Sequence, residues 1–181
     1  MLLEIPTFAD PRGTFSVTYE TGAAVAAGLP ACFVQDNRSL SRSVGTVRGL
    51  HLQLPPHEQG KLVMVVRGRI VDVFVDLRPG SVTHGDHDRT ELAAGDDRLL
   101  WVPPGFAHGF CTLEPDTEVF YKVDAPYRPA AERTLAWDDP VLAIGWPAGP
   151  DQVVLSDKDA AGLGLAAIVT AIGAATREVS G

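Results

Sequence analysis

The chain has 181 residues, of which 45% are hydrophobic and 21% charged, and it is rich in Gly and Pro (18 and 14). This composition is typical of one folded domain with many turns and excludes an intrinsically disordered chain. Fifteen Lys and Arg against 23 Asp and Glu give a net charge of −8, which argues against binding to nucleic acid or to an anionic membrane. An anionic ligand would therefore need a local cluster of cations.

Two cysteines, Cys32 and Cys111, lie in apolar sequence (ACFV and GFCTL), which predicts buried thiols rather than a disulfide framework or a zinc site. The first residues, MLLEIPTFADPRG, contain acidic residues and prolines where the core of a signal peptide would be apolar. The most apolar stretch, residues 162–175, is too short to span a bilayer. We therefore expect a cytoplasmic protein that binds neither membrane nor nucleic acid.

Short apolar runs between Gly and Pro residues recur along the chain, and their β-branched and aromatic content predicts β-strands. In chain order, these runs are ACFVQDN (31–37), KLVMVVRG (61–68), RIVDVFVDLRPG (69–80), RLLWVPPG (98–105), HGFCTL (108–113), TEVFYKV (117–123) and RTLAW (133–137). In the third run, Val71, Val73 and Val75 alternate with Asp72 and Asp76, which predicts a strand with one buried face. The Arg-Gly dipeptide between the second and third runs predicts a hairpin.

Two stretches of the chain predict helices. The first is TGAAVAAGLP (21–30), ended by Gly and Pro, and the second is the Ala-rich tail, whose apolar residues recur at helical spacing. The sequence shows neither an internal repeat nor a low-complexity linker, so residues 1–181 are predicted to form a single domain, with a core at about 10–160 and a helical tail at about 160–181. Many short strands separated by turns favour an all-β sandwich or barrel.

The sequence contains five histidines: His51, His57, His84, His87 and His108. A cupin-type metal site needs two histidines one residue apart on a strand, followed by a carboxylate and a third histidine. The residue two after His51 is Gln53, and the polar loop HGDHD around His84 and His87 predicts solvated side chains. In PPGFAHGF, a Pro-Pro-Gly turn delivers His108 either to a hairpin corner or to a pocket. We expect no metal, with a site built from His51 and His108 as the alternative.

The segment RGLHLQLPPHEQGK (48–61) places His51 and Lys61 at the two ends of a Pro-Pro turn. A neutral imidazole accepts a proton when an acidic group orients it, and an ammonium stabilises an enolate oxygen. On a later strand, Tyr121 alternates with valines, so it shares their face and could supply a proton there. By spacing alone, an ordinary polar loop, a structural histidine and a buried tyrosine with a satisfied hydroxyl also explain these residues.

Five linked motifs give the chain a resemblance to a known family. From about Asp10 to Asp159, in order and with compatible spacing, it carries RGLHLQ with PP and QGKLV, then DVFVDLRPGS, WVPPGFAHGF, YKV with APYRPAAERTLAWDDP, and LSDKD. The chain thereby resembles the dTDP-4-dehydrorhamnose 3,5-epimerases. The resemblance implies a cupin-like jelly-roll β-barrel, with short helices near the N-terminus and at the C-terminus, that forms a homodimer. It also implies an enzyme that acts on a dTDP-sugar without a metal or cofactor.

The resemblance further implies a catalytic set: His51 as the base, Asp159 as its paired carboxylate, Tyr121 as the acid on the opposite face, and Lys61 as the cation at a C4 enolate. Hydrogens at C3 and C5 flank the C4 ketone of such a sugar, so this set can invert either centre without a redox step. Tyr127 matches the aromatic residue that stacks on thymine. The other positions that match substrate contacts are Arg12, Phe15, Gln35, Asn37, Arg48, His108, Glu132 and Lys158.

Two positions depart from the family's pattern. Val17 stands where the family usually has a Glu, five residues after Arg12, and Leu52 replaces the aromatic residue that often follows the catalytic histidine. Val17 leaves the exact nucleotide sugar open. The leading hypothesis is a 3,5-epimerase. The alternatives are a relative that inverts only C3 or only C5, a cupin that binds a nucleotide sugar without converting it, and a metal-dependent cupin oxygenase.

Overall fold

The computed structural model describes residues 1–180 of the chain. Within this range, twelve β-strands and three α-helices are connected by turns and loops. The strands are β1 (Leu2–Glu4), β2 (Thr7–Asp10), β3 (Gly13–Ser16), β4 (Gln35–Ser41), β5 (Val47–Gln53), β6 (Lys61–Arg67), β7 (Arg69–Asp76), β8 (His87–Ala93), β9 (Arg98–Val102), β10 (Phe106–Thr112), β11 (Thr117–Val123) and β12 (Glu132–Thr134). The helices are α1 (Thr21–Ala26), α2 (Asp157–Ala160) and α3 (Leu165–Ser180), with a 3₁₀ helix at Pro150–Gln152.

The strands form two five-stranded antiparallel sheets and one small hairpin. The first sheet has the order β1-β9-β6-β11-β4, and the second sheet has the order β12-β5-β10-β7-β8. Within residues 1–180, strands β2 and β3 pair only with each other. Because neighbouring strands in each sheet are mostly distant along the chain, the chain crosses repeatedly between the sheets, which is the jelly-roll arrangement. The predicted all-β fold is confirmed.

Apolar side chains fill the space between the two sheets. Val63, Leu100 and Val119 of the first sheet pack there in one cluster with Ile70 and Phe110 of the second sheet, and all five are buried. Removal of this apolar area from water is the main favourable contribution to folding. The cluster also fixes the distance between the sheets, and therefore between any side chains that face each other across the barrel.

Each sheet is covered on its outer face as well. Helix α3 places Ile168 and Ile172 against Leu50, Val73 and Val75 of the second sheet. The N-terminal segment and α1 cover the first sheet with a separate cluster, formed by Leu3, Ile5, Tyr19, Ala24, Leu29, Phe33, Leu62, Met64, Leu99 and Trp101. The two predicted helical stretches are therefore part of the packed fold, although α1 is shorter than predicted.

The predicted hairpin between β6 and β7 is wrong. These strands follow each other directly but belong to different sheets, so the chain changes sheets at Gly68. Gly68 has a φ of +78°, and a Cβ atom there would lie 2.3 Å from Thr117 Oγ1. Glycine is the residue that tolerates both this conformation and this close approach. The strand predicted at 31–37 is also displaced, because β4 begins only at Gln35.

Strand β7 is buried on both faces, whereas the sequence predicted one. Its valines pack under helix α3, while Ile70 and Phe74 belong to the cluster between the sheets. Asp72 alternates with the valines and is fully buried. The aspartate that the alternation placed towards solvent therefore points into the barrel.

The two cysteines differ in their surroundings. Cys111 is buried as predicted, and burial raises the pKa of its thiol to about 11. Cys32 is exposed, which contradicts the prediction for that residue. No helix formed by residues 1–180 is long and apolar enough to cross a bilayer, in agreement with the length of the apolar stretch in the tail.

Candidate active site

A cavity of about 310 Å³ opens between the two sheets and is lined by side chains from both. The first sheet contributes from β4, β6 and β11, and the second contributes from β5 and β12. The structure thus brings together residues far apart in sequence, as predicted for most of the candidate set. The lining residues are Gln35, Asn37, His51, Leu52, Gln53, Gln59, Lys61, Tyr121, Tyr127, Glu132 and Lys158.

His51 forms a pair with a carboxylate that is 108 residues away in sequence. Its Nε2 donates to Asp159 Oδ1 at 2.5 Å, which leaves Nδ1 as the ring nitrogen free to accept a proton. Ser156, the N-cap of helix α2, donates from Oγ to Asp159 Oδ2 at 2.9 Å. Burial acts to raise the pKa of Asp159, but the hydrogen bonds from His51 and Ser156 and the nearby positive charges hold it below its ordinary value. Asp159 is therefore an ionised partner that orients the His51 ring.

Tyr121 faces the same cavity from the other sheet. It lies on β11 between Asn37 of β4 and Val63 of β6, and it packs against the cluster between the sheets. Tyr121 shares its face with Val119, as the alternation predicted, and this face points into the barrel. Burial raises the pKa of its phenol above the ordinary value; the charge of Arg48 opposes this shift, and that of Glu132 adds to it. Tyr121 therefore keeps its proton at neutral pH and can act as a donor.

Lys61, the first residue of β6, is the buried cation of the site. Only 7% of Lys61 is exposed. Burial lowers the pKa of its ammonium to about 8, although the charges of Asp124, Asp72 and Glu132 act to raise it. An ammonium with few solvating waters interacts strongly with a developing negative charge.

His108 lies beside His51, because β10 pairs with β5 at these two positions. Its Nε2 is 2.9 Å from both Oδ1 and Oδ2 of Asp72, and both residues are buried. Burial raises the pKa of Asp72, against the opposing charges of His108 and Lys61. Neither His108 nor Asp72 lines the cavity itself, and Asp72, which the sequence reasoning missed, is connected to the site through His108. The local alternation carried no signal for it, because Asp72 turns inward only when helix α3 covers the valine face of β7.

Glu132 connects two further predicted residues at the mouth of the cavity. Its Oε2 accepts from the Tyr127 hydroxyl at 2.8 Å, and its Oε1 accepts from Lys158 Nζ at 2.9 Å. Burial acts to raise the pKa of Glu132, but these two hydrogen bonds hold it below its ordinary value. The Tyr127 ring is held at its hydroxyl end while 46% of the residue remains exposed.

Gln35 and Asn37 lie on strand β4, in the sheet opposite His51, and Arg48 lies on β5, three residues before His51. Gln35 Nε2 donates to Asn37 Oδ1 at 2.7 Å, and Gln35 Oε1 accepts from the Tyr127 backbone N–H at 3.3 Å. Arg48 reaches across from β5 and donates from Nε to Ser41 Oγ at 2.9 Å. Its charge acts to lower the pKa of the Tyr121 phenol, but Arg48 is not among the residues that line the cavity.

Arg12 and Phe15 are not brought to this cavity within the chain. They lie on the β2–β3 hairpin, where Arg12 Nη2 donates to Asp10 Oδ2 at 2.6 Å and Phe15 is 67% exposed. Both line a separate surface depression on that hairpin. Val17 lines a third cavity of about 380 Å³, which is largely apolar and lies under the N-terminal segment and α1.

The described residues contain no group of three or more His, Cys, Asp and Glu side chains placed to hold a metal ion. His51 and His108 each face a carboxylate instead, Asp159 and Asp72 respectively. The position two after His51 is occupied by Gln53, whose amide contacts backbone atoms. His84 and His87 are exposed, as predicted.

A jelly-roll barrel with a His–Asp pair and a tyrosine facing one cavity from opposite sheets has the architecture of a cupin-like enzyme. Comparison with known families identifies the family within this class. The family model for dTDP-4-dehydrorhamnose 3,5-epimerase matches residues 1–167, and the chain belongs to this family. It is an isomerase of the epimerase class.

Individual relatives agree with this assignment. The dTDP-4-dehydrorhamnose 3,5-epimerase of Sinorhizobium fredii is 49% identical over 152 residues, which cover 84% of this chain and 77% of the relative. A dTDP-4-dehydrorhamnose 3-epimerase of Streptomyces niveus is 40% identical over 153 residues, 84% of this chain and 73% of the relative. The crystal structure of a 3,5-epimerase from Bacillus anthracis with TDP and PPi bound has a TM-score of 0.88, with 46% identity and coverage of 91% of this chain and 93% of that one.

Proposed function

We propose that the protein converts dTDP-4-dehydro-6-deoxy-D-glucose to dTDP-4-dehydro-L-rhamnose by inverting C3 and C5 in turn. The observation that carries this proposal is the placement of His51 and Tyr121 on opposite sheets, with both lining one cavity. Inversion at a carbon needs a base on one face of the sugar ring and an acid on the other. Binding alone would need neither, which argues against a cupin that only holds the nucleotide sugar.

The proposed reaction begins with removal of the C3 or C5 hydrogen as a proton by His51 Nδ1. Asp159 stabilises the imidazolium that forms, and the electron pair of the broken C–H bond moves to the C4 oxygen as an enolate. Lys61 lies at the cavity wall and places its ammonium at that oxygen. Tyr121 then gives its proton to the carbon from the opposite face, and solvent restores both residues. Acid–base catalysis of this kind contributes about 10²–10⁴-fold.

The remaining predicted residues are assigned to the nucleotide and the sugar. Tyr127, half-exposed at the mouth, stacks on thymine, and the cations Arg48 and Lys158 contact the diphosphate. These cations supply the local positive charge that a chain with a net charge of −8 needs for an anionic substrate. The polar side chains that complete the proposed contacts are Gln35, Asn37, His108 and Glu132.

We also propose a homodimer in which the hairpin of one chain completes the cavity of the other. Arg12 and Phe15 match substrate contacts of the family but do not line the cavity of their own chain. The hairpin is also markedly apolar at its surface, since Phe8 and Phe15 are 61% and 67% exposed. A second copy would bring these residues to a cavity that lacks them. A cytoplasmic location fits the two free thiols, Cys32 and Cys111.

A single-centre epimerase is the second candidate. The 40% identity to a 3-epimerase from Streptomyces niveus favours it, as does Val17 in place of the family's usual Glu. The same base and acid serve both reactions, so the two candidates differ only in which ring carbons reach His51. Direct measurement has to separate them.

Solvent deuterium uptake distinguishes these candidates. The purified protein is incubated with dTDP-4-dehydro-6-deoxy-D-glucose in D₂O, and the label is located by NMR and mass spectrometry. Deuterium at both C3 and C5 with inverted product is the expected result. Label at one carbon only would establish the single-centre epimerase, and no label from folded protein would contradict both.

Two variants test the assigned roles in the same experiment. His51→Ala should abolish uptake at either carbon. Tyr121→Phe should still place deuterium in recovered substrate but without inversion, because His51 can return a deuteron only to the face it came from. Inversion at the wild-type rate in either variant would contradict the proposed mechanism. Retained dTDP binding shows that each variant still has an intact nucleotide site.

A further inference from the structure

Gln53 is a buried residue of the cavity wall whose amide is used for backbone contacts. It lies two residues after His51 on β5, on the same face, and is 4% exposed. Its Nε2 donates to the His57 carbonyl at 2.5 Å and to the Pro126 carbonyl at 3.3 Å. Its Oε1 accepts from the Arg128 N–H at 2.5 Å. Both donors of the amide and one of its acceptor positions are therefore occupied by main-chain atoms.

Two of these main-chain atoms lie on either side of Tyr127. Gln53 donates to the carbonyl of the preceding residue, Pro126, and accepts from the N–H of the following residue, Arg128. The third atom belongs to His57, in the loop that leads to Lys61. One amide thus connects the segment that presents the aromatic ring with the loop that precedes the buried lysine.

Three other hydrogen bonds join the same segments without touching the residues next to Tyr127, and one of them runs from the Asp124 N–H to the Gly60 carbonyl at 3.3 Å. Gln59 Nε2 donates to the Ala125 carbonyl at 2.6 Å. Asp124 Oδ1 accepts from the Gly60 N–H at 2.7 Å. The segments are therefore held together at several points. Gln35 Oε1 also accepts from the Tyr127 N–H at 3.3 Å, but Gln53 is the side chain that contacts the residues on both sides of Tyr127.

The position of the Tyr127 ring is set largely by its backbone, because fewer neighbouring side chains surround it than surround a tyrosine in the core. The residue is 46% exposed, and its hydroxyl is held by Glu132. A ring that stacks on a base has to lie at a defined height and tilt, since stacking is lost with small displacements. The backbone at 126–128 sets that height.

We propose that Gln53 is a positioning residue for nucleotide binding, which acts by fixing the Tyr127 backbone so that the ring is ready to stack on the nucleobase. This inference rests on the proposed function, which assigns the stacking role to Tyr127. A neutral amide is needed at this position. A carboxylate offers no donor to the two carbonyls, and an apolar side chain offers neither donor nor acceptor. Preorganisation of this kind raises affinity by lowering the ordering cost on binding.

A double-mutant cycle on dTDP affinity tests the inference. Calorimetry gives the Kd of dTDP for the wild type, Gln53→Met, Tyr127→Ala and the double variant. We expect Gln53→Met to weaken binding about tenfold in the wild type but less than about threefold when Tyr127 is already Ala. Because dTDP lacks the hexose that reacts, its binding requires neither turnover nor the proposed contact of Lys61 with the enolate oxygen.

Gln59→Met is the matched control, since it removes a buried amide that joins the same two segments. Its effect on Kd should be equal with Tyr127 and with Ala at position 127. If Gln53→Met does not fold, as judged by its melting curve, Gln53→Asn takes its place in the cycle, because it keeps a neutral amide but is one methylene too short to hold the same three main-chain atoms.

The outcomes separate this inference from the proposed function. Tight dTDP binding by the wild type, with equal losses from Gln53→Met in both backgrounds, would overturn the positioning role alone. An unchanged Kd in Gln53→Met would do the same. A folded wild type that does not bind dTDP would overturn the proposed function and the inference with it. Coupling of Gln53 to Tyr127, without coupling of Gln59, supports the inference.

Discussion

His51 and His108 are neighbours across β5 and β10, and each has a carboxylate partner, but their access to the cavity differs. The side chain of His51 is 28% exposed, whereas that of His108 is 8% exposed and lies against both oxygens of Asp72. A catalytic base has to reach the substrate and later exchange its proton with solvent. Exposure therefore favours His51 as the base, and His108 is better suited to a fixed contact with the substrate.

Asp159→Asn should lower kcat by about 10²-fold or more and leave dTDP affinity within about twofold. The amide can still contact the His51 ring, but it does not stabilise the imidazolium that forms on proton removal. Ser156→Ala is the milder control, because it removes the hydrogen bond to Oδ2 and keeps the carboxylate. Its expected loss is about tenfold or less. Similar losses of kcat in both variants would contradict this role for the Asp159 charge.

The pKa of Lys61 predicts an alkaline limit to activity. Its ammonium loses its proton as the pH rises through about 8, so the cation proposed to stabilise the enolate disappears above that pH. We expect kcat/KM, which reports the free enzyme, to fall with rising pH above about 8. In Lys61→Arg the guanidinium stays charged, so the fall of kcat/KM above about pH 8 should be absent, even if the rate at every pH is lower. A wild-type rate that stays level to pH 10 would rule out this assignment.

Lys61 should also make stability depend on pH with a definite sign. Its pKa is about 8 in the folded chain against an ordinary 10.5, so between these values the unfolded chain binds more protons. The contribution of Lys61 to the free energy of unfolding therefore rises with pH in this window. Urea unfolding at pH 8 and pH 10 should show the wild type gaining stability relative to Lys61→Met. Because other groups titrate in both proteins, their contributions cancel when the free energies of unfolding of the two proteins are subtracted.

The orientation of Asp72 could not be predicted from its local sequence. Its alternation with Val71 and Val73 is the pattern of a half-exposed strand, and by that pattern it faces solvent. Strand β7 is covered on both sides, which depends on α3 folding back across the second sheet. The orientation of one carboxylate was thus decided by an element about ninety residues away, which local periodicity does not report.

At the scale of elements, helix α3 supports the strand that carries His51. Its Ile168 and Ile172 pack against Leu50, the residue before His51, and against Val73 and Val75 of β7. The tail was predicted as a helix, but its packing surface could not be predicted, because an amphipathic pattern does not name its partner. The structure gives the tail a role in holding the site in place.

Ile168→Ala should lower the free energy of unfolding by about 2–5 kcal/mol, since Ile168 is fully buried and truncation leaves a cavity. Val179→Ala is the matched control on the same helix: Val179 is 56% exposed, and the expected change is within about 0.5 kcal/mol. Denaturation by urea, followed by circular dichroism, measures both. Equal stability of the two variants would mean that α3 does not pack on the second sheet in solution.

The connection from β6 to β7 shows why topology was harder to predict than strands. Two apolar runs joined at an Arg-Gly dipeptide have the pattern of a hairpin, and both runs are indeed strands. The corner at Gly68 instead sends them into different sheets, because Thr117 lies against it and β11 occupies the place beside β6. Which sheet each strand joins depends on the packing of the whole sandwich, so the local sequence around Gly68 does not predict it.

At the scale of the whole molecule, the site combines residues from Gln35 to Asp159. Composition and periodicity predicted the all-β class, but only the family resemblance brought these positions together. A jelly roll places neighbours in space far apart in sequence, so spacing carries little information about the cavity. The resemblance placed Arg12 and Phe15 in the same set, and within one chain the fold leaves them outside the cavity.

The proposed dimer accounts for that separation and makes a prediction about mixed dimers. An Arg12→Ala/Phe15→Ala double variant should lose nucleotide binding, and His51→Ala should lose turnover, so neither homodimer is active. Both altered side chains of the double variant are largely exposed, so its chain should fold normally. Co-expression then joins a chain with an intact base to a chain with an intact hairpin.

If the hairpin serves the partner's cavity, each mixed dimer has one complete site, built from His51 of the first chain and the hairpin of the second. Random assortment makes about half of the dimers mixed, so the pool should recover about a quarter of the wild-type activity per chain. If the hairpin serves its own cavity, the mixed dimers have no complete site and the pool stays inactive. Size-exclusion chromatography of the pool must first show dimers, because monomers would exclude the sharing of sites altogether.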